Sequence, residues 1–203
     1  MLTKVEQPHA HDVSDEELIH LCQERLPGDP RPFYALVARY RDRVINTAYR
    51  FLGDPRDAEE MAQEVFLRVY RGLVDFQAAS SFSTWLYHIT VNTCKNELRR
   101  RSRQPTFLEP DLESLGILLP TASSAEQVII AHEQQDAIQE TLNQLNATDR
   151  EALILRDIQG LSYQEIAAVL GVGLSAAKMR VRRARLAFRE LYAQKILSLQ
   201  GGM

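Results

Sequence analysis

The residues most able to do chemistry in this chain are two groups of cations on helical spacing. Lys95, Arg99, Arg100, Arg101 and Arg103 form one group, and Lys178, Arg180, Arg182, Arg183 and Arg185 the other. Guanidinium and ammonium groups in such stripes bind phosphate oxygens, and each such contact on a nucleic acid releases condensed counterions. The first stripe also carries amides: Asn92, Asn96, Arg99 and Arg103 follow one helix face. Amides read base edges where guanidinium groups hold the backbone. In the second stripe Ser175, Lys178, Met179, Arg182 and Arg183 share a face toward the N-terminal half of a helix, the part that enters a major groove. Arg185 and Arg189 extend the charge along it, where phosphate contact is expected rather than base contact.

Charge over the whole chain argues against indiscriminate coating of nucleic acid. The 203 residues carry a net charge of -3 and a pI near 6.0, so the positive charge is partitioned. The stretch 109–149 holds many carboxylates and neither Lys nor Arg. That asymmetry implies defined docking geometry.

Other chemistries find little support. Cys22 and Cys94 make no CxxC pair. His9 and His11, with His20 and Cys22, have ligand chemistry, but the first pair falls in a polar terminal segment that reads as a frayed tail. Glu59, Glu60 and His88 lack metal-ligand spacing and any nucleophile and base arrangement. The expectation is no metal, no cofactor and no catalysis. With no signal peptide and no long apolar run, the chain reads as soluble and cytoplasmic, with no membrane insertion.

The elements that must position these groups are helices, and no strand alternation is found. Ser14 and Glu17 make a capping box before a helix with Leu18, Leu21 and Cys22, ending near Pro27 and Gly28. A second helix follows Pro32, with Phe33, Leu36, Val37, Tyr40, Val44 and Phe51 at helical spacing before Gly53. The third aligns Ala58, Met61, Ala62, Val65, Val69 and Leu73, and its polar face offers Glu59, Glu60, Gln63 and Glu64, with Phe66 nearby. An acidic helix face is ordinarily solvated, and Glu64 with Arg68 makes a helical ion pair of only ~0.3–0.5 kcal/mol. After Phe76 a small polar loop, 77–81, precedes a long helix through Trp85, Leu86, Ile89, Val91, Cys94 and Leu98. The Ser80-Ser81-Phe82 stretch beside aromatics suits a pocket for an unstacked base, while Trp85 is assigned to the core.

The pattern fails between Ser102 and Ser124, where Pro105, Pro110 and Pro120 mark a linker, with a short Leu115–Leu119 run as a possible docking point. Helical spacing resumes over 126–145 and, after a Thr148–Glu151 capping box, through Leu153, Ile154 and Ile158 to Gly160. Ser162 and Glu165 cap a short helix with Ile166, Ala167 and Leu170; Gly171 breaks it, and Ser175 is placed as the cap of a longer helix to about Tyr192. Ala177, Val181, Ala184, Phe188 and Leu191 form the apolar stripe of that helix. Short helix, glycine turn and longer basic helix make a helix-turn-helix.

These motifs together resemble a bacterial extracytoplasmic function sigma factor of the sigma-70 superfamily. The resemblance rests on Asp57-Ala-Glu-Glu-Met-Ala-Gln-Glu-Val-Phe66, on Ser81-Phe-Ser-Thr-Trp-Leu86 with Asn92, and on Gly160-Leu-Ser-Tyr-Gln-Glu-Ile-Ala167. It runs from about residue 15 to 192. It implies an all-α chain of two small helical domains, sigma regions 2 and 4, over 14–103 and 126–203, with a flexible tail at 1–13 and a linker at 104–125.

The resemblance also supplies partners. It implies that Glu60, Gln63, Glu64 and Phe66 dock on the clamp helices of the largest subunit of core RNA polymerase, with the flap of the second-largest subunit a further contact. The loop from Phe76 through Ser80, Ser81 and Phe82, with Asn92 and Asn96, would capture the non-template strand of the element just upstream of the start through a flipped base. Arg99, Arg100 and Arg103 would steady its backbone. Ser175, Lys178, Met179, Arg182, Arg183 and Arg185 would read a more distant element as duplex DNA. The family often has Gly-Thr-Val-Lys-Ser-Arg where this chain has Ser175-Ala-Ala-Lys-Met-Arg180, a departure that bears on sequence preference. The acidic, proline-bearing linker resembles those threaded through the polymerase cleft, and an anti-sigma factor is the expected regulator. Two other readings stand beside this one. A helix-turn-helix regulator acting alone on duplex DNA would need a dimerisation helix or ligand pocket, which the first domain does not offer. An interaction protein would tolerate loss of charge at Arg182 and Arg183.

Overall fold

Caps, apolar spacing and glycine stops set the element boundaries in the computed structural model, which describes residues 13–103 and 125–200. The helices are α1 (Asp15–Arg25), α2 (Arg31–Leu52), α3 (Pro55–Gly72), α4 (Phe82–Arg103), α5 (Ala125–Gln144), α6 (Ala147–Leu153), α7 (Tyr163–Leu170) and α8 (Leu174–Gln200). A 3-10 turn, Leu73–Asp75, follows α3, and a π-helical turn, Ile154–Ile158, follows α6. No strand occurs among the described residues, as the all-α expectation requires. His9, His11, the Leu115–Leu119 run and nearly all of the expected tail and linker lie outside them.

Local chemistry accounts for the ends. The Ser14 hydroxyl accepts the Glu17 amide at 3.2 Å, and Asp54 caps α3 with Pro55 opening it. Gly53 ends α2 at φ 82°, a left-handed position that a Cβ would strain. Ser162 and Glu165 form the full reciprocal capping box of α7. Two expected caps are corrected. α6 is capped by Asn146, whose side chain accepts the Asp149 amide at 2.9 Å, because Thr148 already lies inside the first turn. Likewise α8 begins at Leu174, with the Ala177 amide donating to the Gly173 carbonyl at 3.0 Å, so Ser175 is helical and its hydroxyl points out with the polar face. The same helix continues to Gln200 rather than stopping near Tyr192.

The first unit is built on α2 and α3, with α1 and α4 laid across them. Leu36, Val44, Val65, Val69, Leu73 and Leu86 fill its core. In the second unit Leu142, Leu145, Leu153 and Ala184 pack α5 and α6 against α8. Of the expected stripe on α8, Ala177, Val181 and Ala184 are all at most 1% exposed, while Phe188 and Leu191 are half-buried.

Sequence spacing did not announce that the two units share a further core. Ala48, Phe51, Tyr87, Val91 and Cys94 of the first unit pack with Ala152, Ile154, Leu155, Leu161, Ile166 and Val169 of the second. The π turn makes this possible. The Gln159 amide reaches back to the Ile154 carbonyl at 3.0 Å, which turns Ile154 and Leu155 inward together.

Candidate nucleic-acid interface

Three surfaces carry the candidate residues. On α4 the core takes Leu86, Thr90, Val91 and Cys94, so the helical period leaves His88, Asn92, Asn96, Arg99, Arg100 and Arg103 exposed. The Asn92 amide lies 3.1 Å from the His88 ring nitrogen Nε2, and Arg99 donates to the Asn96 side-chain oxygen at 3.5 Å. Arg99, Arg100, Arg103 and Asn96 frame one shallow cationic depression.

The arginines of this stripe are not equivalent. Arg100 donates through Nε and Nη2 to Glu97, both at 2.7 Å. Arg101 bridges Glu97 at 2.6 Å and Asp57 of α3 at 2.6 Å. The Glu97 carboxyl is held down to about 2 by the Arg100 hydrogen bonds, which with those of Arg101 outweigh the opposing effect of burial. Arg101 thereby ties α4 to α3, while Arg99 and Arg103 extend the outward face.

Ahead of α4, the loop closes a cavity of about 470 Å³ against α1. Ser80, Ser81, Ser83 and the Phe76 ring form one wall, and Asp15, Ile19, His20 and Gln23 the other. The Ser81 hydroxyl caps the start of α4 by accepting the Thr84 amide at 3.2 Å, and pairs with the hydroxyls of Ser83 and Thr84. Ala78 sits at φ 53°, a left-handed position costing a non-glycine residue ~1–2 kcal/mol. Phe76, Phe82 and Trp85 cluster beneath, Phe76 and Phe82 at right angles and Trp85 tilted against both. Trp85 packs against the core as expected. Phe82 is 4% exposed and lies against the Tyr40 ring, so it supports the loop from below.

The α1 wall was invisible in the sequence. Gln23 donates its amide to the Leu73 carbonyl at 3.1 Å and to the Phe76 carbonyl at 2.9 Å, which fixes where the loop departs. Fifty residues separate the partners, and no motif links them.

The second surface lies on α3 and α2. Glu60 and Gln63 are exposed, and Glu64 holds Arg68 at 2.8 Å in the expected pair. Gln63 and Phe66 also line an apolar groove of about 430 Å³ with Phe33, Tyr34, Val37 and Leu67. Tyr34 is 62% and Leu67 51% exposed, so two large apolar side chains on neighbouring helices face solvent beside one groove. Both were missed earlier because they fall off the buried stripes. That displacement was itself the available signal.

The third surface is the exposed side of α8. Lys178, Met179 and Arg182 stand outward, Met179 at 61% exposure. Lys178 lies 6.0 Å from the centre of the Tyr163 ring, which Arg156 covers from 4.6 Å. Arg183 is bound to the buried Asp149 carboxylate at 2.6–3.1 Å, and Arg185 to Asp157, with its Nε at 2.9 Å. The structure thus groups Ser175, Lys178, Met179 and Arg182 on one exposed face and gives Arg183 and Arg185 a second attachment within the fold. No group of three or more His, Cys, Asp or Glu close enough to hold a metal ion occurs among the described residues. None of the described helices is long and apolar enough to cross a membrane.

Comparison with known proteins matches both units. Residues 36–104 match the sigma-70 region 2 family model, and residues 135–188 the sigma-70 region 4 model. The chain is 35% identical over 176 residues to RNA polymerase sigma-H factor of Pseudomonas aeruginosa, covering 84% of this chain and 90% of that protein. It is 34% identical over 182 residues to the ECF RNA polymerase sigma-E factor of Escherichia coli K12, covering 87% and 93% respectively. Among solved structures it resembles CnrH bound to the cytosolic domain of CnrY, with TM-score 0.64, 25% identity and coverage of 87% of this chain and 96% of that one. It also resembles the sigma factor RpoE of Bartonella quintana in complex with the anti-sigma factor NepR, with TM-score 0.63, 26% identity and coverage of 78% and 95%.

Proposed function

The chain belongs to the extracytoplasmic function sigma factors of RNA polymerase, and on that premise we propose that it binds core polymerase and directs initiation at promoters with two separately read elements. The observation that carries this reading is the coexistence on one chain of an amide- and arginine-bearing face behind a loop cavity and a basic face on the second helix of a helix-turn-helix. The Asn92–Asn96–Arg99 face lies further along α4, the helix whose first residues Phe82 and Ser83 line a loop cavity large enough to receive an unstacked base. The Lys178–Met179–Arg182 face lies on the second helix of a helix-turn-helix. A regulator acting on duplex DNA alone has no use for the first.

The chemistry is one of binding energy. Holding a flipped base and the backbone of one strand stabilises the melted state over the duplex, and duplex contact at the distant element sets register. No bond is made or broken by the chain itself, and its role is that of a non-enzymatic subunit working in the cytoplasm. The α2–α3 groove, with Gln63 at its edge, and the flanking Glu60 and Glu64 give the polymerase an apolar seat with an acidic border. Phe66 closes the seat from below. Structural likeness to a sigma factor in complex with an anti-sigma factor supports control of this chain by such a partner.

The test is co-purification with core RNA polymerase by size exclusion, followed by sequencing of the DNA that the complex selects. Co-elution with enrichment of a two-block motif is expected. Tight duplex binding by the chain alone, with no polymerase association, would establish the stand-alone regulator instead.

A further inference from the structure

The α1 wall of the loop cavity has a polarity of its own. Gln23 spends its amide nitrogen on backbone, donating to the Leu73 carbonyl at 3.1 Å and to the Phe76 carbonyl at 2.9 Å. An amide with both hydrogens committed has only its oxygen left to offer. Its orientation is fixed as well, since a flip would set that oxygen against two carbonyls. The Gln23 oxygen accepts no hydrogen bond from any described residue, although the side chain lines the cavity.

The rest of the lining sorts the same way. Asp15 gives one carboxylate oxygen to Arg39 and the other to the Tyr40 hydroxyl. The Ser81 hydroxyl is engaged by the Thr84 amide and by the hydroxyls of Ser83 and Thr84. The exposed Glu16 contributes a second acceptor. His20 faces Glu24 through Nδ1 at 3.5 Å, and a carboxylate there draws the ring proton to Nδ1, leaving Nε2 an acceptor. Neither Lys nor Arg is among the described residues that line the cavity. Such a space is a poor seat for phosphate. Walled by the Phe76 ring and by acceptors, it suits a neutral base with a donor on its edge.

We propose, resting on the promoter-reading role above, that Gln23 determines which base the cavity takes: its oxygen accepts from the exocyclic amine of an unstacked adenine or cytosine. Adenine N6 and cytosine N4 project a donor at one corner of the base edge, where guanine O6 and thymine O4 place an acceptor. An oxygen brought to that corner would face the Gln23 oxygen with no hydrogen between them, and an acceptor left so is costly. The cavity therefore sorts amino bases from keto bases, and α1 supplies the sorting group.

A cycle across protein and DNA tests this. Core polymerase carrying the full chain is bound to promoter DNA whose proximal element is held open by mismatches, with each of the four bases in turn at every position of the non-template strand. At one position adenine or cytosine should bind about tenfold more tightly than guanine or thymine, and the series tells which of the two amines is taken. Deleting that amine alone, with purine for adenine or 2-pyrimidinone for cytosine, should cost the wild type a similar factor. Gln23→Leu should bind every sequence more weakly, because the loop loses its anchor, yet should lose no more than about twofold on deletion of the amine. Equal losses in the two proteins would make Gln23 a support for the loop and overturn its role in selection. Indifference of the wild type to the amine, a result that needs no variant, would do the same. Discrimination among bases at no position would overturn promoter reading along with the inference, whereas discrimination without an amino preference at any position overturns the inference alone.

Discussion

Arg183 of α8 closes on Asp149 of α6, with Nε at 2.8 Å and Nη2 at 2.6 Å from the same carboxylate oxygen, so a guanidinium in the middle of the basic stripe is also the clasp beneath the recognition helix. Asp149 is 2% exposed. Burial pulls its carboxyl upward, and the hydrogen bonds from Arg183 and Asn146 more than reverse this, leaving it below the ordinary carboxylate range. A buried carboxylate of this kind is expensive to leave without its partners.

The clasp separates two arginines that look alike in the sequence. Asp149→Ala should cost about 1–3 kcal/mol of stability, read by urea denaturation, and Arg183→Ala should lower the melting temperature as well. Arg182→Ala should leave the melting temperature unchanged while weakening binding to the distant duplex element about tenfold and reducing the salt slope by about one. A salt slope unaffected by Arg182→Ala would remove that side chain from the reading face.

Most of the architecture was legible because apolar spacing is a direct consequence of burial on one helix face. Ala177, Val181 and Ala184 were buried in the structure as their spacing required, and the Ser162–Glu165 box closed as its residue types dictate. The misplaced caps at Thr148 and Ser175 show the limit: each is the right residue type, but Asn146 and the Gly173 carbonyl stand earlier in the chain and complete the first turn. Charge was harder to read than apolarity. A sequence shows where arginines fall but not which of them meet carboxylates from elsewhere, as Arg101 meets Asp57 and Arg185 meets Asp157. The seam between the units was hidden for a related reason. Tyr87, Val91 and Phe51 are apolar at core spacing, and nothing in the spacing says which core they serve.

Acid should weaken the Glu97–Arg100–Arg101 cluster near the end of α4. Glu97, 8% exposed, has its carboxyl lowered from 4.5 to about 2, chiefly by Arg100, then against burial by Arg101. A carboxyl lowered in the folded state contributes stability that is complete above the unfolded value and is lost as pH falls toward the folded one. The contribution should be whole above about pH 4.5 and disappear between there and about 2, on the order of 2 kcal/mol. Glu97→Gln should be less stable at pH 7 and show a flatter stability profile across that window. Parallel profiles for the two proteins would mean that Glu97 contributes nothing to acid sensitivity.

The polymerase seat is tested by separating its apolar floor from its acidic border. Gln63→Ala with Glu64→Ala should weaken core binding severalfold with the fold intact, since both side chains lie at the surface of α3. Leu67→Asp should weaken it more, at least about tenfold, because a charge would sit in the groove where Leu67 is now exposed. Competition binding against wild type, with circular dichroism to show retained helicity, gives the comparison. Equal affinity for all three proteins would reject this groove as the seat.

The proposed role in strand opening assigns work to the α4 amide face and to the support beneath the loop, and two variants tell these apart. Asn92→Ala removes an exposed amide and should reduce permanganate reactivity of the melted strand while initial duplex binding persists. Gln23→Ala leaves the amide face intact and alters only the α1 wall of the loop cavity, where it releases the Leu73 and Phe76 carbonyls that Gln23 now holds at 3.1 and 2.9 Å. The stability cost should be small, about 1 kcal/mol, because both carbonyls can turn to water. The loop cavity, however, would lose the fixed departure point of its serine wall. Gln23→Ala should therefore slow bubble formation several-fold and raise proteolytic cleavage within 77–81, with polymerase affinity unchanged. Gln23→Glu, which keeps the length but replaces the donor by an acceptor facing two carbonyls, should be at least as impaired. Normal opening kinetics in Gln23→Glu would show that the α1 wall is only packing.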